Sequence, residues 1–359
     1  MLVEEEVLDS PPLSLPTFPM PTPPRSFPTF SMQTMQAMVD TLERDIRQLE
    51  EELNYARNVK TFDQIKNSDR KVAMYTGLPS AAVFEDLHAF CIKFGIRYYS
   101  GWTPQTLKTR EQLLMTLMKL RLNCRRLDLA EQFGCSESMV TNVVITWIHV
   151  LHSALHDGFM STIPTRLKNQ ASLPSIFSYF NNTRIVLDCT EVQIAIPSSM
   201  KESNLTYSHY KNRNTFKGLV GVAPNGVITL ASKLYPGSIS DKEIVIQSGV
   251  LQQTCAGDIV MADKGFLMHD IMPSGVGLNV PPFLVRPQFT PHEVVMTRSI
   301  ARARVHVERA IERVKRYTIL TFIPASLRQF ADVVWQTCCA LTNLQFPLIR
   351  EPYTDQDDQ

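Results

Sequence analysis

Carboxylates that end apolar segments can deliver charge into a cleft, and this sequence has several. Asp188 follows Ile185-Val186-Leu187, and Asp263 follows Ile259-Val260-Met261-Ala262. Glu308 lies in SIARARVHVERAIERVKRY, a segment of helical periodicity. Each has an ordinary local explanation. Asp263 precedes Lys264-Gly265, as a turn aspartate would. Asp241, after PGSIS, is a favourable charge at a helix start. Arg304–Glu308 and Glu312–Arg316 are i, i+4 pairs worth a few tenths of a kcal/mol each. Phosphodiester cleavage gives such acids a reason to converge. It requires stabilising an attacking and a leaving oxygen in line, which two Mg²⁺ ions about 3.5–4 Å apart do, and these hard cations take carboxylate oxygens. Asp188, Asp263 and Glu308 meet that requirement, two from strand ends and one from a later helix. Clustered acids repel, so such a site either binds metal or stays partly protonated.

Alternation along the first strand puts Asp188 on the face of Thr190 and Glu191 on the other. In the helix, Ile300, Ala303, Val307, Ala310, Ile311 and Val314 make an apolar stripe at about 100° per residue. Glu308 falls beside it and Glu312 further out, while Arg298, Arg302, Arg309, Arg313 and Arg316 gather on the far face near His306. Strands are predicted at 184–196, in FKGLVGVA and VITLASKLY around the hairpin signal Pro224-Asn225-Gly226, at 258–262 and at 283–287. Helices are predicted at 241–253, about 292–317 and 326–346. Together they imply a mixed α/β domain.

Upstream lie helices at 110–122, 126–134 and 136–151. Ala130 allows close helix approach, Gly134 sits in the turn and Val140 is buried, which is the layout of a DNA-reading helix-turn-helix. On this reading Ser136, Glu137, Ser138, Thr141 and Asn142 face the groove, and Lys119, Arg121, Arg125 and Arg126 hold phosphates. Unrelated helical hairpins share that joint. The basic stretch Tyr210, Lys211, Arg213, Asn214 and Lys217 is either a phosphate grip beside the hairpin or a solvated loop.

Residues 1–31 hold eight of the 23 prolines and read as a disordered tail. Then Met32, Met35, Val39, Leu42, Ile46, Leu49, Leu53 and Ala56 form a heptad seam, which predicts a coiled coil and self-association. The alternative is one amphipathic helix packed on its own domain. Net charge is +1 and says little about partners. No apolar run is expected to reach the ~18 residues of a membrane span, and the acidic MLVEEEVLDSPP is unlike a secretory signal. Seven scattered cysteines without a CxxC pair predict reduced thiols and no structural zinc.

Taken in order, IVLDCTEV, YKNRNTFKGLVGVAPNGVI, YPGSISDKEI, GDIVMADKGF and RARVHVERAIERVK resemble the PIF/Harbinger-like DDE superfamily endonucleases, which are transposases. TREQLLMTLMKLRLNCRRLDLAEQFGCSESMVTNVVITWI is similar to their helix-turn-helix. The resemblance spans about 70–348. It implies an α/β, RNase H-like mixed-sheet catalytic domain preceded by an all-α helix-turn-helix domain and a coiled-coil segment. It also implies Asp188, Asp263 and Glu308 as catalytic metal ligands. Asp241 matches a further metal position of the "GSxSD" motif and ranks below the other three. Mg²⁺ or Mn²⁺ is the implied cofactor, DNA the partner and the nucleus the location. Neither a small-molecule cofactor nor a membrane partner is expected. Similar proteins often carry an N-terminal zinc-binding DNA module, and no suitable Cys/His spacing is present here.

The expected organisation is therefore a disordered Pro-rich tail (1–31), a coiled coil (32–60), a helical linker region (61–105), the helix-turn-helix (106–156), the endonuclease domain (180–348) and a disordered tail (349–359). The leading functional reading is a metal-dependent hydrolase that cuts DNA, with strand transfer and host domestication as extensions of it. Its DNA contacts would be Arg125, Arg126, Ser136, Ser138, Thr141, Asn142, Lys211, Arg213 and Lys217. The rivals are a catalytically inactive transposase-derived DNA-binding protein and an interaction protein that recruits another DNA binder.

Overall fold

Pro224-Asn225-Gly226 turns the chain as predicted: Gly226 takes φ 90°, and the Ala223 N–H donates to the Val227 carbonyl at 2.9 Å. The structure, a computed structural model, describes residues 31–263, 265–280 and 291–349. The expected tails (1–31 apart from Ser31, and 350–359) and the strand expected at 283–287 lie outside the described residues.

Two compact units divide the chain at Asn58–Val59. The first contains helix α1 (Met32–Asn58), on which Val39, Leu42, Ile46 and Leu49 are exposed. The second begins with α2 (Asp69–Thr76), α3 (Ala81–Ile92), α4 (Thr109–Leu122), α5 (Arg126–Phe133) and α6 (Glu137–Leu151). A π-helical turn at His152–Asp157 prolongs α6, and α7 (Arg166–Gln170) follows. Then come β1 (Thr183–Gln193), α8 (Met200–Thr206), β2 (Tyr207–Ser208), β3 (Arg213–Val222), β4 (Ile228–Ala231), β5 (Tyr235–Pro236), α9 (Asp241–Ser248), β6 (Ile259–Met261), β7 (Gly277–Asn279), α10 (Pro291–Lys315) and α11 (Ala331–Thr342).

One mixed sheet organises the second unit, with β1 at its centre. β3 pairs with β1 antiparallel, while β6 and then β7 extend the other side in parallel. The far edge of β3 takes β2, β5 and β4 in turn. Strand alternation sorts the sheet into two faces. Ile185, Leu187, Leu219 and Val260 pack with Ile244 and Val245 of α9. Val186, Val192, Val220 and Met261 pack with the predicted α10 stripe, Ile300 to Val314, and with Trp335 of α11.

That second cluster does not stop at the sheet. It continues into Leu113, Leu117, Trp147 and Ile148 of the helical half, and into Phe62, Val72, Phe84 and Leu87. Residues 61–105 are therefore not a linker, because their apolar side chains belong to the common core. Polar clasps reinforce the join: Arg121 Nη1 donates to the Arg316 carbonyl at 2.7 Å, and Thr318 Oγ1 to the Arg121 carbonyl at 2.8 Å. Both buried tryptophans have partners, Trp147 Nε1 on Gln112 Oε1 and Trp335 Nε1 on the Ser232 carbonyl.

Contrary to the expectation of no such run, Glu137–Asp157 is long and apolar enough to cross a membrane. Here its apolar residues, Val143, Trp147, Ile148 and Leu151 among them, fill the core.

Gly221 sits where β1, β3 and β4 meet. An added Cβ would stand 2.3 Å from Ile185 Cδ1 and 2.9 Å from Leu230 Cβ, and the second of these cannot swing away. Gly221→Ala should cost about 1–3 kcal/mol, the usual penalty of overpacking, read as a lower urea midpoint with an unchanged m-value.

Candidate active site

Strand register brings the first two acids together. Val186 pairs with Met261, the last residue of β6, so Asp188, midway along β1, and Asp263, just past the end of β6, each stand two residues beyond that pair on adjacent parallel strands. β1 then runs on along β3, leaving a cleft where β6 has ended. α10 lies over the same face, and its buried Ala303, Val307, Ala310 and Val314 hold Glu308 at the edge of the stripe. Asp188, Asp263 and Glu308 line one cleft of about 520 Å³.

A cation already stands among them. Arg304, its side chain only 10% exposed, places Nη1 3.0 Å from Asp263 Oδ1 and Nη2 3.8 Å from Glu308 Oε1. Its Nε is buried without a hydrogen-bond partner. Asp188 Oδ1 accepts from the Cys189 N–H at 2.9 Å. Burial nevertheless pushes the Asp188 carboxyl up to about 6; Arg304 and the Cys189 N–H oppose the rise, while the charges of Asp263 and Glu308 add to it. Asp188, Asp263 and Glu308 with Arg304 sum to a charge of −2 when all are ionised, with Lys315 further along the same cleft. Such oxygen donors fit a hard divalent cation, which would relieve the repulsion.

Asp241 approaches the same cleft from the other sheet face. It opens α9, behind the Ser240 N-cap, and its Oδ1 lies 2.8 Å from Lys217 Nζ. Burial and then the Asp241 charge keep the adjacent Cys189 thiol protonated. Asp241 is thus both a helix-start charge and a cleft residue. Lys217, expected on DNA, instead faces Asp241 with a side chain only 16% exposed and also donates to the Ile239 carbonyl at 3.2 Å. Glu191 accepts from Thr215 Oγ1 at 2.7 Å and lines the cleft too, since residues of both faces reach a strand edge.

Lys211 and Arg213 remain exposed, with Lys211 Nζ over the Tyr210 ring and Arg213 Nη1 on Gln193 Oε1. They line an adjoining cleft of about 430 Å³ that shares Glu191, Lys211 and Lys315 with the first. Lys315 and the central position of Arg304 were missed from sequence. Helical projection held the signal, because residues four before and seven after Glu308 lie near its own direction. His306, expected near the outer arginines, is buried against Phe177, and burial and then the charge of Arg309 hold its imidazole below the usual range.

In the helical half the predicted joint is present. Gly134 is left-handed at φ 60°, the Cys135 N–H donates to the Ala130 carbonyl, and Ala130 and Val140 are buried. Arg125, Arg126, Ser136 and Ser138 are exposed, with Ser136 N-capping α6 and Arg126 3.5 Å from Glu137. Asn142 does not face a groove. It is fully buried, taking the Ser100 N–H on Oδ1 and donating Nδ2 to the Trp102 carbonyl. Thr141 is half-buried beside Leu327, its hydroxyl on the Glu137 carbonyl. Lys119 is buried too and donates to the Cys124 carbonyl at 2.7 Å, so with Arg121 it braces the fold rather than holding phosphate.

Comparison with known families gives two matches. Residues 187–343 match the family described as DDE superfamily endonuclease, and residues 105–157 match the helix-turn-helix of DDE superfamily endonuclease. The chain thus contains such an endonuclease domain with its helix-turn-helix. No curated protein and no solved structure matches it.

Because Asp188 is raised from an ordinary value near 3.8 to about 6, its neutral form is the stable one, and stability is lost as pH rises through that window. In EDTA at pH 7.5, Asp188→Asn should therefore be more stable than the parent by about 1–3 kcal/mol, at roughly 1.4 kcal/mol per unit. The difference should shrink toward pH 4, as followed by urea unfolding.

Proposed function

We propose that this chain is a nuclear, divalent-metal-dependent DNA endonuclease of transposase type, of the PIF/Harbinger branch, built on an RNase H-like sheet. The observation that carries the reading is the meeting of Asp188, Asp263 and Glu308 in one cleft, inside the stretch that matches the endonuclease family. With the two-residue β2 and β5 set aside, Asp263 follows the fourth strand, where RNase H-like enzymes mount their second acid.

Asp188, Asp263 and Glu308 would hold Mg²⁺ or Mn²⁺, with Asp241 at the rim. When bound, such ions stabilise the attacking and leaving oxygens of phosphodiester cleavage. The chain's own groups do the rest. Asp188 gives up its proton above about pH 6 and becomes a ligand. The basic side chains of Lys211, Arg213 and Lys315 hold the phosphate backbone along the joined clefts. Arg125, Arg126, Ser136 and Ser138 meet DNA at the exposed start of α6, with phosphate contacts setting position. Water cuts the strand and leaves a 3′-hydroxyl, which the same cleft can then use for strand transfer.

Arg304 favours one rival reading, a host-domesticated DNA-binding protein without catalysis, because its guanidinium already bridges two of the acids. Plasmid nicking in Mn²⁺ separates the two. Under the enzyme reading, Asp263→Ala lowers the rate on the order of a hundredfold or more, the scale of losing one stabiliser of developing charge. Binding without nicking by the parent itself establishes the rival.

Self-association through α1 belongs to the same proposal. Val39, Leu42, Ile46 and Leu49 repeat at heptad spacing and are exposed, the arrangement that pairing of two copies would cover. Light scattering should show a dimer for the parent and a monomer for Ile46→Asp.

A further inference from the structure

We infer that the π-helical turn after α6 is a zinc site, formed by His152 Nδ1, His156 Nδ1 and the Asp157 carboxylate, about which the catalytic proposal says nothing. One ligand atom from each of the three residues lies within 4.8 Å of the others. Winding is what gathers them. At about 100° per residue, an α-helix would turn Asp157 roughly 140° away from His152. The i→i+5 winding of this turn returns it to the same side as His152 and beside His156.

Hydrogen bonding fixes which nitrogen faces the cluster. Gln336, buried on α11, donates Nε2 to the Ala231 carbonyl at 3.1 Å, so its Oε1 is the atom 2.8 Å from His152 Nε2. An oxygen acceptor there requires a proton on Nε2, and the neutral ring then carries its lone pair on Nδ1. That lone pair looks at Asp157 Oδ2 across 3.5 Å, while His156 Nδ1 stands 3.1 Å from Asp157 Oδ1. Two acceptors facing each other need a cation or a second proton between them.

The spacing suits a cation. Zinc with bonds of about 2.0–2.1 Å in tetrahedral geometry sets neighbouring ligand atoms roughly 3.3 Å apart. An outer hydrogen bond that fixes a ligating imidazole, as Gln336 does, is the usual support of such sites. The histidine side chains are 16% and 14% exposed and Asp157 56%, leaving an open side for entry and for a fourth, water ligand. Because Gln336 belongs to α11, the metal would tie the end of the helix-turn-helix to the catalytic half.

The test is a Zn²⁺ titration of the untagged full chain against a chromogenic chelator in millimolar Mg²⁺, with the visible spectrum of the Co²⁺ form as a second readout. One equivalent should bind. Affinity should fall at least tenfold in His156→Ala and in Asp157→Asn, and stay unchanged in Asp263→Asn, which alters only the acidic cleft. Asp157→Asn decides the matter if His156→Ala fails to fold. Absence of binding, or equal binding in the parent and Asp157→Asn, overturns the inference and leaves the cluster held by a proton.

Discussion

A single guanidinium holds the acidic cleft in register. Three carboxylates converge where β6 ends, and Arg304 is the positive charge placed among them. A buried charge of this kind is tolerated only when it is paired, and Arg304 pairs across elements, from α10 to the loop after β6. The docking of α10 and the position of Asp263 therefore depend on one another. The apolar stripe fixes the rotation of the helix; the ion pairs fix its height against the strand ends. Neither would suffice alone, because a stripe permits sliding and an ion pair permits tilting.

The sheet then decides which acid does what. Parallel register sends Asp188 and Asp263 to the face covered by α10, whereas Asp241 opens a helix on the opposite face and meets Lys217. An acid with its own lysine differs electrostatically from one whose burial already drives its carboxyl up to about 6. A bound cation would relieve the buried charge of Asp188, whereas Asp241 already faces Lys217. Mixed strand direction makes this possible, since a long antiparallel partner on one side and a short parallel strand on the other leave half of the β1 edge open.

Much of this could be read in the residues. The hairpin at Pro224–Gly226, the stripe from Ile300 to Val314 and the Ala130–Gly134–Val140 joint are local signals, and local signals survive folding. Tertiary packing hid the rest. Arg304 looked like one half of a surface i, i+4 pair because nothing in the sequence states that Asp263 comes to meet it. Lys217 read as a basic loop residue because its partner lies 24 positions later. Asn142 has the right type and place for a groove reader, and burial reassigns it to the loop at Ser100–Trp102. Gly277–Asn279 is too short to announce a strand and becomes one by lying beside β6.

That burial changes how the helix-turn-helix can work. A reading helix presents its N-terminal half to the major groove and its far side to a small domain. Here α6 is enclosed on nearly every side from Val140 onward and shares its core with the central sheet. Only the first turn and the adjoining arginines at the start of α5 remain for contact. Base contacts from so short a segment would be few, so in the proposed endonuclease any sequence preference would come largely from DNA shape and from phosphates held at two places at once. Since the reader and the acidic cleft belong to one packed unit, the distance between them is fixed by the fold. Under the proposed function, the spacing from recognised DNA to the cut strand would be a property of the core, not of a linker.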